Sequence, residues 1–425
     1  MKLTEKEIIG HIARHRAEEL PRLARLGAYY RGEHAILKGA KEPGKPDNRL
    51  VNNFCRSITD VTVGYFLGVP VTYSSEDEGT EAAILRLGHA SDEPFVNAAL
   101  ARDLSIYGRA AEILWYDAKQ DLPRFAPVDV CGVIPVYGDS LDGGLKAAIR
   151  LRDETDERGN KRTIAEVYDE DDVTVYAVGE GTVTRLTSRL HGFGGVPVNF
   201  YRNNRDASGD FEPVLSLVDA YNRLQSESVN DFELFADSYL AISGMGGTTA
   251  EDVKKLREDR VLLLDEGGEA KWLTKTVNDA YIENLKTRIA KDIYRFSCTV
   301  DMAEETGLGS SVSGTAIRYR LLNFDNRVKV TEQFFRKGLR RRWALLCRML
   351  SLTGTPADAD AVRMRFVRNL PSNLGDATSL AVAAAPLISR RTALEMLPFV
   401  RDPDAELARI REETAAGIPA GAEVI

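Results

Sequence analysis

No proline occurs between Pro213 and Pro356. A stretch that long, with no residue to fix φ and remove a backbone donor, can run as uninterrupted helix, and its apolar residues recur at helical spacing. Val214, Leu217, Val218, Tyr221, Leu224, Phe232 and Phe235 mark one face of a first long helix, with Pro213 where a first-turn proline is welcome. Ile282, Leu285, Ile289, Ile293 and Phe296 mark a second. Between the two, Thr248-Thr249-Ala250-Glu251 opens a short helix and Arg260 to Leu264 reads as a strand. Ile317, Leu321, Phe324, Val328, Phe335, Leu339, Trp343, Leu346 and Leu350 mark a third helix, from about Gly314 to Leu352. At 1.5 Å per residue the third helix is about 55 Å long. An element longer than a small domain is wide predicts an elongated or ring-forming protein. No repeat of roughly 20 to 50 residues points to a solenoid.

The region before Pro213 is mixed. Thr4 to Gly27 is loosely helical around Pro21, Gly39 to Asn48 is a proline- and glycine-bearing loop, and a helix starts near Asn52 and ends by Gly68. Val69 to Tyr73 reads as a short edge strand and Pro94 to Tyr107 as a helix. Ala110 to Tyr116, Thr163 to Tyr168, Val173 to Val178 and Thr182 to Leu186 alternate or are β-branched, and the links between the last three are short. These predict an antiparallel meander in an α+β region ending near Pro197.

The chain has 425 residues, of which 44% are apolar and 28% charged, the balance of a folded protein with two or three packing units. Its longest nearly apolar run, Ala381 to Ile388, is far short of the roughly 18 residues that cross a bilayer, so no membrane segment is expected. The start turns polar before a signal-peptide core can form, which predicts a cytoplasmic setting. Cys55, Cys131, Cys298 and Cys347 lie far apart with no CxxC pair, and all four are read as buried thiols.

The net charge of -8 argues against a freestanding protein that grips nucleic acid by neutralising phosphates. The charge is unevenly placed. Ten basic residues lie between Ser313 and Leu350, among them Arg327, Lys329, Arg336, Lys337, Arg340, Arg341 and Arg342, against only Asp325 and Glu332. This positive rod can face DNA phosphates or pair with acidic surfaces of neighbouring subunits; the second reading is favoured, since an acidic chain supplies such surfaces.

Catalytic patterns are imitated and not completed. Gly309-Ser310-Ser311-Val312-Ser313-Gly314-Thr315 has the glycine spacing of a phosphate-cradling loop, yet Thr315 stands where lysine must reach the terminal phosphates. Val261 to Glu266 imitates a strand ending in magnesium-holding acids, but it precedes the loop. A P-loop-like ATPase acting on nucleic acid is therefore the alternative function, not the favoured one. Asp169 to Asp172 reads as a solvated hairpin tip. His11 and His15 are read as exposed imidazoles without a third metal ligand; His34, His89 and His191 are isolated. No nucleophile stands beside a base and an acid, so no enzyme, metal or cofactor is expected.

Several strings in order then resemble the portal proteins of tailed phages, in the family found in many long-tailed phages. They are Tyr29-Tyr30-Arg31-Gly32-Glu33-His34, Asn48-Arg49-Leu50-Val51-Asn52-Asn53-Phe54 and Gly64-Tyr65-Phe66-Leu67-Gly68-Val69-Pro70-Val71. Gly195-Val196-Pro197-Val198-Asn199-Phe200, Ser313-Gly314-Thr315-Ala316-Ile317, Phe335-Arg336-Lys337-Gly338-Leu339 and Arg368-Asn369-Leu370-Pro371 continue the pattern. The resemblance implies an α+β portal fold, mainly helical with an antiparallel β wing, closing as a dodecameric ring around a DNA channel at one capsid vertex. It implies a wing over 1–211, stem helices over 212–237 and 279–298, a clip over 238–278, and a tunnel loop within 299–313. The long helix and its wing–crown connection would span 314–375, and the crown 376–425. Thr306, Gly307, Leu308, Gly309, Ser310, Ser311, Val312 and Ser313 would face DNA in the channel, small and neutral where similar proteins carry more bulk or charge. Implied partners are further copies of the chain, double-stranded DNA, the terminase large subunit, major capsid and scaffold proteins and a head–tail connector, with assembly in the host cytoplasm and residence in the virion. An acidic wall with few free cations suits a duplex that must slide rather than stick.

Overall fold

The computed structural model describes residues 2–39, 46–138, 143–155, 159, 161–236, 239–243, 269–273, 279–301, 314–369, 374–397, 399–400 and 402–415. The chain forms two compact units. One contains residues 1–30, 55–213 and 297–425; the other contains 31–54 and 214–296. Both units mix helices with antiparallel strands, so the fold is α+β.

The first unit opens on helix α1 (Glu5–Arg14), whose N-terminus is a capping box: Glu7 N–H donates to Thr4 Oγ1, and Thr4 N–H donates to Glu7 Oε2 at 2.7 Å. A π-helical turn, His15–Glu19, leads into α2 (Leu20–Arg31). Pro21 does not end this helix; the wider turn before it accommodates the ring and the missing donor. Helices α3 (Phe54–Leu67), α4 (Glu78–Ser91) and α5 (Glu93–Tyr107) follow, with β1 (Thr72–Ser74) between α3 and α4.

The strands make two larger sheets. β2 (Arg109–Asp117), β3 (Leu122–Val128) and β9 (Val198–Arg202) form a three-stranded sheet with β2 central. β4 (Val133–Tyr137), β5 (Leu145–Thr155), β6 (Lys161–Tyr168), β7 (Asp172–Val178) and β8 (Val183–Leu190) form an antiparallel meander, five strands in sequence order; β6, β7 and β8 are three of the four runs expected in it, and the fourth, Ala110 to Tyr116, lies instead in β2 of the three-stranded sheet. Its period of two sorts the side chains. Ile134, Val136, Ala147, Ile149, Ala165 and Val167 pack with Ile8 and Ile12 of α1, while Val133, Ala148, Tyr168 and Val173 pack with Val196 and Val198. The α+β region therefore runs past Pro197, since β9 completes the three-stranded sheet. The Asp169 to Asp172 tip is a turn in which Asp169 Oδ1 accepts the N–H groups of Asp171 and Asp172.

The main core joins α3, α4, α5 and the three-stranded sheet to helix α8 (Gly314–Leu352), whose observed bounds are those read from the sequence. β12 (Arg363–Arg365) returns to pair with β1, and helices α9 (Leu374–Ala384), α10 (Arg390–Glu395) and α11 (Pro403–Ala415) end the described chain.

The second unit is built on α6 (Leu215–Ala236) and α7 (Asp279–Phe296), with β10 (Tyr239–Ser243) antiparallel to β11 (Glu269–Leu273). Along α6, Asn222, Ser226 and Asn230 recur every fourth residue and accept the backbone N–H groups of Asn52, Leu50 and Asn48 at 2.7, 2.9 and 2.7 Å. Four helical residues rise about 6 Å and two extended ones about 6.6 Å, so a strand-like segment can lay every second amide on one helix stripe. The expected helix at Thr248 to Glu251, the strand at Arg260 to Leu264 and the loop from Thr306 to Ser313 lie outside the described residues.

Two side-chain expectations change. His15 is buried, its Nε2 2.8 Å from the Cys131 carbonyl, and His34 is buried with Nδ1 accepting from Asn222 Nδ2 at 2.9 Å. Neither is an exposed or isolated imidazole. Cys298 is exposed and Cys131 half-buried, so only Cys55 and Cys347 are the buried thiols expected of all four.

Asp103 on α5 is pushed up to about 7 by burial and by Asp129, which outweigh Arg102. A carboxyl raised in the folded state contributes stability that is complete below its unfolded pKa and lost as pH rises through its folded one. The melting temperature is expected to fall by several degrees between about pH 5 and about pH 8, and Asp103→Asn to flatten that fall. Identical pH profiles for the two proteins would contradict the assignment.

Candidate functional site: the long helix and its docking strands

The seven cations singled out on α8 do not form one charged surface. Arg342 falls on the helix's apolar stripe, three residues after Leu339 and four before Leu346, and is fully buried. Its Nε donates to Glu112 at 2.9 and 3.0 Å, its Nη2 lies 2.7 Å from Glu112 Oε2, and its Nη1 donates to Asn97 Oδ1 at 2.8 Å. Glu93 Oε1 is 3.7 Å away, and the guanidinium lies 4.3 Å from the centre of the Phe125 ring. Burial works against the charge of Arg342, but Glu112 outweighs it and the pKa is raised. Burial also raises Glu93, against Arg342 and hydrogen bonds from Tyr73 and Asn97. One cation thus meets one carboxylate in close contact and a second that protonates more readily than usual.

Glu112 is placed by strand periodicity: it shares the face of β2 that carries the buried Ala110 and Leu114. Register sets Asn199 of β9 opposite Glu112 and Tyr201 opposite Ala110. Asn199 Nδ2 donates to Glu112 Oε1 at 2.9 Å and Tyr201 Oη at 2.6 Å. Asn199 Nδ2 also reaches the Gly338 carbonyl at 2.9 Å. At Gly338 a Cβ would lie 2.3 Å from the Tyr201 ring, so the helix can approach β9 only without a side chain there. Arg341 completes the dock, donating to the carbonyls of Val196 and Val198 at 2.7 and 2.9 Å.

The remaining cations divide. Arg327 lies 2.7 Å from Asp210 and donates to Thr62 Oγ1 at 2.8 Å. Arg336 donates to Glu332 and to the Met364 carbonyl, both at 2.8 Å, and lies over the Phe366 ring. Lys329 is exposed but lies 2.7 Å from Asp325. Only Lys337 and Arg340 of the seven are exposed and make no ion pair among the described residues. Arg342 has no exposed surface to offer a neighbouring subunit or DNA, which corrects the expectation for that residue, whereas Arg341 is half-buried with Nη1 and Nη2 held by backbone carbonyls of its own chain. The signal that could have shown this is positional, since a cation on an apolar helical stripe needs a buried acid and Glu112 is the one charge in the interior of β2, between its terminal Arg109 and Asp117.

Arg368, outside the predicted set, ties the returning chain to the helix. It donates to Asp325 at 3.2 Å and to Glu332 at 2.8 Å, above the Tyr65 and Phe66 rings. Next to it, Asn369 N–H donates to the Tyr65 carbonyl at 3.2 Å, and a Cβ on Gly68 would lie 2.5 Å from the Asn369 amide nitrogen. No cluster of metal-ligating side chains occurs among the described residues. No described helix is long and apolar enough to cross a membrane.

Parts of the strings that carry the resemblance, Tyr65, Phe66, Gly68, Asn199, Gly338 and Arg368 among them, are thus contacts in the fold. The family described as "Phage portal protein, SPP1 Gp6-like" matches residues 9–420, and this chain belongs to that family. The portal protein of Bacillus phage SPP1 is 24% identical over 392 residues, 87% of this chain and 76% of that protein. The portal protein of Clostridium phage phiCD119 is 21% identical over 380 residues, 84% of this chain and 82% of its own. A chain from a structure titled "Neck of empty GTA particle computed with C6 symmetry" overlays at TM-score 0.48 with 13% identity, covering 81% of this chain and 89% of that one.

Arg342→Met is expected to cost about 3 to 5 kcal/mol in urea unfolding, because it leaves Glu112 buried and uncompensated, whereas Arg342→Met with Glu112→Leu is expected to recover part of that loss. Equal losses in the single and double variants would contradict the pairing. Gly338→Ala is expected to cost about 1 to 3 kcal/mol in the same titration by overpacking Tyr201, and wild-type stability would contradict the contact.

Proposed function

We propose that this chain closes with copies of itself into a dodecameric ring at one capsid vertex, through which double-stranded DNA is packaged, held and ejected. The observation that carries the reading is membership of the portal family over nearly the whole chain. In this reading residues 1–211 contribute to the wing, α6 and α7 are the stem helices, 238–278 the clip and 376–425 the crown. The chain is a virion component assembled in the host cytoplasm. The terminase large subunit docks on the clip during packaging, a head–tail connector replaces it, and major capsid and scaffold proteins surround the ring.

Thr306 to Ser313 project into the channel as the tunnel loop. They are small and uncharged, and the chain is acidic overall, so DNA is confined with little grip. Of the seven cations singled out on the basic helix, Lys337 and Arg340 are those left for neighbouring subunits or DNA. The work of translocation belongs to the terminase, and no catalytic step is assigned to this chain. The nucleotide-binding alternative gains no support from the family to which the chain belongs.

Imaging of purified full-length protein is expected to show closed rings with a central opening wide enough for a duplex; monomers or open filaments under every assembly condition would contradict the reading. Replacing the Gly307 to Ser311 stretch with a longer or charged one is expected to impair DNA packaging while leaving rings intact, and normal packaging would remove the loop from the channel role.

A further inference from the structure

Between Leu374 and Ser389 the only charged residue is Asp376. Yet Leu380 is 60% exposed, Val382 68% and Leu387 87%, and Ala381 is buried. Each residue of an α-helix turns the chain by about 100°, so Leu380 and Val382 stand on nearly opposite sides of α9. A helix that is apolar on opposite sides is a buried helix, and here two separate sides are left uncovered. A twofold contact would cover one self-complementary patch, whereas a head-to-tail ring gives every copy two neighbours on different sides.

The charges nearby have the same polarity of arrangement. Arg390 is exposed at the head of α10, Glu412 and Glu413 are exposed at the tail of α11, and none of the three makes an ion pair among the described residues. Arg391 and Asp404, 2.9 Å apart, tie the heads of α10 and α11 together. The acidic pair therefore lies roughly 12 Å along α11 from that junction, at the 1.5 Å rise of a helix. Positive and negative ends displaced along one segment favour neighbours that repeat head to tail.

We propose that α9 is an inter-copy contact, lying between the α9 helices of two neighbouring copies, the Leu380 side meeting the Val382 side of the next, with Arg390 facing Glu412 and Glu413 across the seam. The occupant is a second copy of this chain, and the proposal rests on the ring reading above.

The test uses the full chain in a Cys298→Ser background, which removes the exposed thiol. A variant carrying both Leu380→Cys and Val382→Cys, treated with a short bismaleimide, is expected to give a ladder of covalent oligomers reaching past the dimer to the closed ring, with no ladder in the background protein. Dimers alone from Leu380→Cys would mean a twofold contact and overturn the proposal, as would rings visible by imaging without any ladder. Absence of rings in the unsubstituted protein would instead overturn the ring reading itself. A charge-swap pair supplies a second readout: Glu412→Lys with Glu413→Lys is expected to lower the salt concentration at which rings dissociate, and adding Arg390→Glu to raise it again. Unchanged dissociation in both would overturn the seam.

Discussion

A guanidinium with no access to water sits between strand β2 and the long helix, and the first unit is arranged around keeping it paired. Removing Arg342 and Glu112 from water costs several kcal/mol per ion, which their attraction offsets only with good geometry and satisfied neighbouring groups. Asn97, Asn199 and Tyr201 supply those groups, from α5 and β9. Well-packed apolar residues could serve stability as well or better; what the polar cluster adds is register. A slip of α8 by one residue would move Gly338 away from the Tyr201 ring and set the side chain of Lys337 or Leu339 against it.

The approach of helix to strand follows from this pairing. Tyr201 reaches Glu112 with its ring close against α8, in space that any side chain at position 338 would fill. Arg341 then uses the carbonyls of Val196 and Val198 where the chain enters β9. Nearer the N-terminus of the helix, Arg368 bridges Asp325 and Glu332 and brings Asn369 against the C-terminus of α3. Burial of Asp325 opposes its ionisation, but Lys329, Tyr65 and Arg368 outweigh it and its pKa is lowered. The long helix is thus pinned at two levels, around Asp325 and Glu332 and around Arg342, by guanidinium–carboxylate contacts of unequal burial.

Much of this was legible in the sequence, and the misses have physical causes. Helical periodicity without proline gave the bounds of Gly314–Leu352, and alternation gave three of the meander's five strands, β6, β7 and β8. Strands β3, β4 and β5 were not read. β3 carries Pro123 and Pro127, β4 carries Pro135, and β5 alternates apolar residues with charges that pair across the sheet, as Arg150 and Arg152 do with Glu166. Helix α4 escaped because its start, capped by Asp77, lies in a run of small and acidic residues. Charge alone makes the basic rod one surface, whereas helical periodicity puts Arg342 inside, between Leu339 and Leu346. The stripe of Asn222, Ser226 and Asn230 was invisible for another reason: its partners are backbone amides, which no side-chain pattern records.

Held by the Arg342 cluster, α8, β2 and β9 form one cooperative body. Native-state hydrogen exchange tests it most directly, because helices that merely rest on a sheet open separately from it. Amides from Phe335 to Leu346 and from Val198 to Tyr201 are expected to exchange at one common free energy equal to that of unfolding the unit. Protection of the strands persisting while the helix segment exchanges by a lower-energy opening would contradict the account.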